Sequence, residues 1–308
     1  MRISFEAVAT KKFIYFAADV SSDFGAAVVM KVLVTGGSGF LGTHLKRSLN
    51  ADDFSRRSGC DILNLQDAKR VADYDVVVHL AAKLDKSPDS AEQVFLTNVE
   101  GTVNLLREMK EGAVFIFAST KDVYGRFADN FKEVSETCDT LYAGQTALEW
   151  SKLIAERYVD FFANHNGFRS CIFRLSTVYA PASAGNTPNF VTSYAEAINT
   201  GEPIRLPGGG KPIRDFLHID DLARACEAFI ESVIRHGIYN LGGGHRNALS
   251  LKELITKLER ASGLQAVVAS EGLPDPTPVN YISNLTRVYH ELGWEPSIGL
   301  DEGLKSLF

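Results

Sequence analysis

The chain has 308 residues, enough for one large α/β unit or two modest domains that share a cleft. Apolar residues make up 45% and charged residues 23%, the balance of a soluble globular protein. The formal charge of −6 leaves no basic field to hold nucleic acid or an anionic membrane surface.

Residues 1–29 carry short apolar patches broken by Lys11, Lys12 and Asp19, without the continuous apolar run of a signal peptide or a membrane span. They read as an extension of unassigned role ahead of Met30, where strong patterning begins. KVLVTG (31–36) is an apolar strand, and FLGTHLKRSL (40–49) has helical spacing. A short strand is expected at 52–55, a helix over LQDAKRVAD (65–73) and a fully apolar strand over DVVVHLAA (75–82). A long amphipathic helix follows at 90–109, then the strand AVFIFAST (113–120). Next come a long helix over 147–165, the strand FRSCIFRLS (168–176) and a polar, loop-rich stretch over 180–190. A helix over 193–201, a turn at 206–212 and the run 213–234 precede the strand GIYNLGGG (237–244) and an amphipathic helix over 249–263. Apolar strands alternating with helices imply a doubly wound parallel (Rossmann) sheet covered on both faces. A smaller C-terminal substrate-binding lobe completes the expected fold. The dinucleotide-binding unit is expected at 30–173 plus about 214–244, and the lobe at about 174–213 plus 245–308. Cys60, Cys138, Cys171 and Cys226 lie far apart with no metal-ligand spacing, so they read as reduced thiols of a cytoplasmic protein that holds no metal.

Between the first strand and first helix, Gly37, Gly39 and Gly42 form Gly-x-Gly-x-x-Gly, with Gly36, Phe40 and Leu41 in the same turn. Glycines there permit a tight turn and close backbone approach to a pyrophosphate, which the helix N-terminus then holds. The turn is expected to bind a dinucleotide. Its identity is set near the tip of the next strand, where an acid suits a ribose 2′-hydroxyl and an arginine a 2′-phosphate. Ser55 followed by Arg56 and Arg57 favours NADP over NAD, since a guanidinium is planar, forked and always charged. The alternative makes the arginines a solvated loop and Asp52 or Asp53 the ribose ligand.

The chain resembles the extended short-chain dehydrogenase/reductase family, which holds nucleotide-sugar epimerases, dehydratases and reductases. The likeness runs from Met30 to Phe308 on TGGSGFLG (35–42), DI (61–62), HLAA (79–82), Asn98 of TNVEGTVNLL and STKDVYG (119–125). It continues through SKLIAE (151–156), RLSTVYAP (174–181), RDFLHIDD (214–221), YNLGGG (239–244) and ELGWEP (291–296). By this resemblance, Asp61 and Ile62 sit beside the adenine, and Leu80, Ala81, Ala82 and Asn98 line the cofactor site. Thr120 matches the catalytic Ser/Thr that bonds the reacting sugar oxygen. Lys152 matches the lysine that holds the nicotinamide ribose and lowers the pKa of a catalytic tyrosine. Arg214 matches a diphosphate-gripping arginine, and Thr177 stands at a substrate-side position. The resemblance also implies a homodimer through the helices around 90–109 and 145–163.

Several positions depart from the family pattern. The tyrosine of Tyr-x-x-x-Lys is Leu148; the asparagine before Val-Tyr-Gly-Pro is Thr177, and the glycine of that motif is Ala180. A second diphosphate arginine is Gly272, and the dehydratase Asp-Glu pair is Lys121-Asp122. Candidate substitutes for the missing acid are Tyr142, Asp122 and Lys121, in that order. Glu149 is expected to turn about 100° away from the lost position. Two functions follow from this pattern. One is an NAD(P)-dependent epimerase or reductase acting on a nucleotide-activated sugar with an atypical acid/base group. The other is a catalytically impaired protein that binds a dinucleotide or sugar nucleotide on the same fold.

Overall fold

The computed structural model describes residues 14–15 and 28–308. Ile14–Tyr15 pairs antiparallel with Val28–Val29, and the rest of the 1–29 extension lies outside the described residues.

Six parallel strands form the central sheet, in the spatial order 236–241, 169–175, 114–120, 76–79, 32–35, 52–54. The chain runs from Val32–Thr35 outward to Asp52–Phe54, then crosses back to Val76–His79 on the other side. The reversal opens a crevice at the carboxyl ends of these strands, where doubly wound sheets bind ligands. Successive side chains of a strand point to opposite faces, and here both faces are buried. Val32, Val34, Val76 and Ile116 therefore pack with Leu45, Leu222 and Phe229, while Leu33, Val77 and Phe115 pack with Leu105 and Val159 on the other side. The uninterrupted apolar runs in the sequence have this cause.

The smaller lobe is built on Ile213–His218, parallel to Thr177–Tyr179 and antiparallel to Ala248–Ser250. Its core gathers Tyr179, Val191, Leu206, Phe216, Leu254 and Leu304. Within the segment 214–244, grouped above with the larger unit, Ile213–His218 pairs in the small sheet and His236–Leu241 closes the large one. The helix Ile219–Glu231 connects the two and packs against Phe40–Ser48.

Two helices position the site. Ala147–Asn166 starts at a capping box, in which Thr146 and Glu149 satisfy each other's end of the first turn, and it stops at Gly167 with φ +75°. The helix expected over 90–109 is interrupted: Ala91–Phe95 and Gly101–Arg107 flank a π-helical turn at Leu96–Glu100. That wider turn carries Asn98.

Candidate active site

The glycine turn is shaped by steric necessity. Gly36 has φ +68°, and a β-carbon on it would stand 2.9 Å from the Ala81 nitrogen. A β-carbon on Gly42 would come within 2.1 Å of the Gly36 carbonyl oxygen, so only glycine lets the helix Phe40–Ser48 begin this close to the strand. The first N–H groups of the helix, around Phe40, Leu41 and Gly42, lack intrahelical partners and face the crevice end of the sheet. This backbone cradle fits a pyrophosphate.

At the tip of Asp52–Phe54, each carboxylate has one oxygen engaged, while Asp53 Oδ1 is buried without a hydrogen-bond partner among the described residues. Asp52 accepts from the Tyr74 hydroxyl at 2.9 Å, and Asp53 pairs with Lys46 at 3.1 Å. Asp53 Oδ1 lies 2.7 Å from where a β-carbon on Gly37 would be, which places it beneath the turn. Ser55, Arg56 and Arg57 are left at the strand tip. The Arg57 guanidinium already bridges the Ser38 carbonyl (3.2 Å), Asn186 Oδ1 (2.9 Å) and the Gly185 carbonyl (2.7 Å). Asp61 makes an Asx contact to the Leu63 N–H at 2.9 Å, and buried Ile62 packs on Gly101 of the π-turn helix.

One buried hydrogen-bond chain links the cofactor side of three elements. Thr102 donates to the Asn98 carbonyl at 2.7 Å, so its oxygen receives the His79 Nε2 proton at 2.9 Å. His79 Nδ1 is then an acceptor for the Thr35 hydroxyl at 2.6 Å, and the Thr35 oxygen receives the Ala81 N–H at 3.2 Å. The chain is consistent only with a neutral His79 protonated on Nε2. Burial, with the Lys152 charge, lowers its pKa to about 3, in agreement with a neutral ring. The chain fixes the segment Leu80–Ala82 beside the glycine turn. Asn98 adds a second clasp: its Oδ1 accepts from the Lys83 N–H at 2.8 Å, and its Nδ2 donates to the Lys83 carbonyl and to Ser151 Oγ at 2.8 Å. It thus ties the loop after Val76–His79 to the helix that carries Lys152.

Lys152 is buried, with Nζ donating to the Ala118 carbonyl at 2.8 Å and standing 4.8 Å over the Phe117 ring. Burial lowers its pKa to about 8, against the nearby Glu156 carboxylate. Thr120 ends the strand Val114–Thr120, and its oxygen accepts from the Asp122 N–H at 3.2 Å. Leu148 is buried and offers no proton.

A cleft of about 850 Å³ opens beside Thr120, lined by both lobes. Lys121 and Asp122 line it as a close ion pair. Tyr142, placed first among the candidate substitutes, is instead 71% exposed and lies outside the lining. Glu149, expected to turn away, faces the cleft and is 3% exposed. Its Oε2 caps Thr146 at 2.7 Å, which rotates the carboxylate inward, and its Oε1 meets Lys86 Nζ at 2.8 Å. Lys86 also contacts Asp122 at 3.2 Å. Burial would lower the Lys86 pKa, but the Asp122 and Glu149 carboxylates outweigh it and hold the pKa above the ordinary lysine value. Asp122 is held down at about 2: burial raises its pKa, and Lys121 and Lys86 overcome that. Lys86 was missed from sequence because it stands in no motif, and Glu149 was set aside on helical rotation alone.

On the lobe side, Thr177 lines the cleft at 9% exposure. Arg214 lines it too, but its Nη groups donate to the carbonyls of Ile213, Val279 (both 2.7 Å) and Pro278 (2.8 Å). What it offers the cleft is its charge and the two N–H donors that these carbonyls leave over. Position 272, the glycine that replaces an arginine, backs onto the Leu206 carbonyl. Arg205, next to Leu206, is a cation in the lining that the sequence reading did not identify.

A doubly wound sheet with a glycine turn at its switch point, and a cleft shared with a second lobe, defines a Rossmann-type dinucleotide-binding protein. Residues 32–242 match the NAD dependent epimerase/dehydratase family, and the chain belongs to it. It is 30% identical over 252 residues to a UDP-glucuronate 4-epimerase of Thermodesulfobacterium geofontis (strain OPF15), covering 80% of this chain and 76% of that protein. It is 27% identical to a CDP-paratose 2-epimerase of Salmonella typhi across 91% of this chain and 98% of that one. Among solved structures, UDP-glucuronic acid 4-epimerase from Bacillus cereus in complex with UDP-glucuronic acid and NAD matches with a TM-score of 0.77 at 25% identity, covering 90% of this chain and 98% of that one.

Proposed function

We propose that the protein is an NAD(P)-dependent oxidoreductase of the epimerase or reductase type, acting on a nucleotide-activated sugar through an acid/base group other than tyrosine. The carrying observation is that Thr120, at the end of a central strand, opens onto a cleft that also holds Arg214 and Arg205. Gly36, Gly39 and Gly42 would seat the pyrophosphate of the dinucleotide, and Lys152 its nicotinamide ribose. Arg214 and Arg205 would face the diphosphate of the sugar nucleotide, and Thr177 its sugar side. A bound nicotinamide supplies a hydride acceptor, so that the sugar carbon loses hydride, its hydroxyl loses a proton and the C–O bond becomes a carbonyl.

The preferred cofactor is NADP. Ser55, Arg56 and Arg57 stand at the strand tip to meet a 2′-phosphate, and Asp53 Oδ1, beneath Gly37 and unpartnered among the described residues, is the group that would hold a ribose hydroxyl if the cofactor is NAD. The larger unit, 30–173 with the closing strand His236–Leu241, would bind the dinucleotide, and the lobe, which takes in Ile213–His218, the substrate. A homodimer through the two helices is supported by exposed Phe95, Leu96, Tyr158 and Phe161. A second reading, a binder without turnover, is favoured by Leu148 alone.

The test is equilibrium binding and thermal shift with NADP, NAD and UDP. UDP should raise the melting temperature by mass action on the native state, and Arg214→Ala should remove most of that rise while sparing the dinucleotide's. Absence of any shift with UDP, GDP or dTDP sinks the nucleotide-sugar assignment.

A further inference from the structure

We propose that Lys121 takes the tyrosine's place as the proton-transferring group, held in position by Asp122, Lys86 and Glu149. The proposal rests on the reading of the cleft as a sugar-oxidising site.

Four side chains of alternating sign stand in a row: Lys121, Asp122, Lys86, Glu149. The row starts at the residue next to Thr120 and ends on the helix where the family tyrosine is missing, one residue beyond Leu148. All four line the cleft. Their roles separate by environment. Asp122 is held ionised by two ammonium groups, so it has no proton to give. Lys86 is half exposed and kept charged by two carboxylates. Glu149 caps Thr146 through Oε2, and its Oε1 meets Lys86 as an ion pair without a hydrogen bond. Lys121 differs: it is 7% exposed, its Nζ sits 5.2 Å over the Tyr281 ring, and it shares the cleft with Arg214 of the lobe strand. Burial lowers its pKa below that of an ordinary lysine, against the pull of Asp122 and with help from Arg214 and Lys86. A buried amine with a lowered pKa can both accept and return a proton.

The step balances without a further reactant. Lys121 rests as an ammonium paired with Asp122; once it has lost its proton, its Nζ takes the proton of the hydroxyl bonded to Thr120 as the sugar carbon gives up hydride. The O–H bond breaks, an N–H bond forms and the carbonyl appears. In the reverse direction the ammonium returns that proton to the oxygen. Asp122 acts as a positioning residue that stabilises the charged form, and Lys86 with Glu149 keeps Asp122 oriented.

The first measurement does not depend on turnover. Reductive methylation with ¹³C-formaldehyde labels the lysines, and the resonance absent from Lys121→Arg identifies the group. It should titrate below the ordinary lysine value of 10.5, and lower still in Asp122→Asn, which loses the carboxylate that favours the charge. A resonance that titrates at or above 10.5, or that Asp122→Asn leaves unmoved, overturns the assignment. The second measurement is a single turnover at 340 nm with NADP and UDP-glucuronic acid as the probe. Lys121→Met should keep dinucleotide binding and lose the absorbance rise by a factor of about 10²–10⁴. Lys121→Arg should behave the same way, since its side chain stays protonated. In the unaltered protein the rate should rise with pH, and Asp122→Asn should move that limb to lower pH. A Lys121→Met rate within about threefold of the unaltered protein refutes the proposal, because a positioned acid supplies far more. Failure of NADP and UDP to bind the unaltered protein would instead overturn the functional reading, with the titration of Lys121 still deciding its character.

Discussion

Removing the Glu156 carboxylate should unfold the catalytic end of the central sheet at markedly lower temperature. Glu156 is 1% exposed at its side chain and Arg174 is 5%, so the two charges have almost no water. Arg174 donates from Nη2 to Oε2 at 2.7 Å and from Nε to Oε1 at 3.1 Å, and Ser119 donates to Oε1 at 2.5 Å. The third arginine donor reaches the Tyr124 hydroxyl at 3.0 Å. Glu156→Ala leaves a guanidinium stranded in the interior, which costs about 3–5 kcal/mol. With an unfolding entropy of about 2 cal/mol/K per residue, a chain of this size loses about 5–8 °C in melting temperature. Scanning calorimetry and urea titration read this directly. The double variant Glu156→Leu/Arg174→Met should recover much of the loss, because replacing both charges by apolar groups removes the stranded one. A Glu156→Ala cost below about 1 kcal/mol, the level of a surface pair, would refute the reasoning. The consequence for the site is direct: Ser119 precedes Thr120, and Glu156 lies one turn beyond Lys152 on the same helix.

Gly42→Ala should cost about 1–3 kcal/mol and abolish dinucleotide binding, since its β-carbon would lie 2.1 Å from the Gly36 oxygen; calorimetry with NADP checks both. Lys152 carries the pH dependence. Its folded pKa of about 8 lies below the ordinary 10.5, so between these values the unfolded chain holds a proton that the folded one does not. Stability from this group therefore rises with pH across that window, by up to about 3 kcal/mol. Lys152→Met should flatten that rise in unfolding titrations at pH 8 to 10.5, and an unchanged slope would count against it. Arg56→Ala with Arg57→Ala should erase a preference for NADP while leaving NAD affinity within a few-fold, measured by isothermal titration; tighter NAD binding to the unaltered protein would reverse the cofactor assignment.

What the sequence determined by itself is what neighbouring residues decide together. Short, β-branched apolar runs such as VLVT and VVVH read as strands buried on both faces, and their alternation with helices points to a doubly wound parallel sheet. The glycine turn is equally local, because its requirement is close backbone approach within one strand–turn–helix unit. The placement of Thr120 at a strand end and of Lys152 on a helix face was legible for the same reason, through short motifs. The π-turn at 96–100 was not, since a helix that widens by one residue keeps its apolar spacing on both sides. Nor were the contacts of Asp52 and Asp53 with Tyr74 and Lys46, which belong to other elements. The chemical half of the cleft was decided by tertiary structure alone. Tyr142 has the better side chain for acid/base work, yet its loop leaves it in solvent. Glu149 was predicted to point away by helical rotation, but its cap to Thr146 and its contact with Lys86 bring it to the cleft. Local spacing places a backbone, whereas a charge buried in a cleft settles where distant partners can neutralise it.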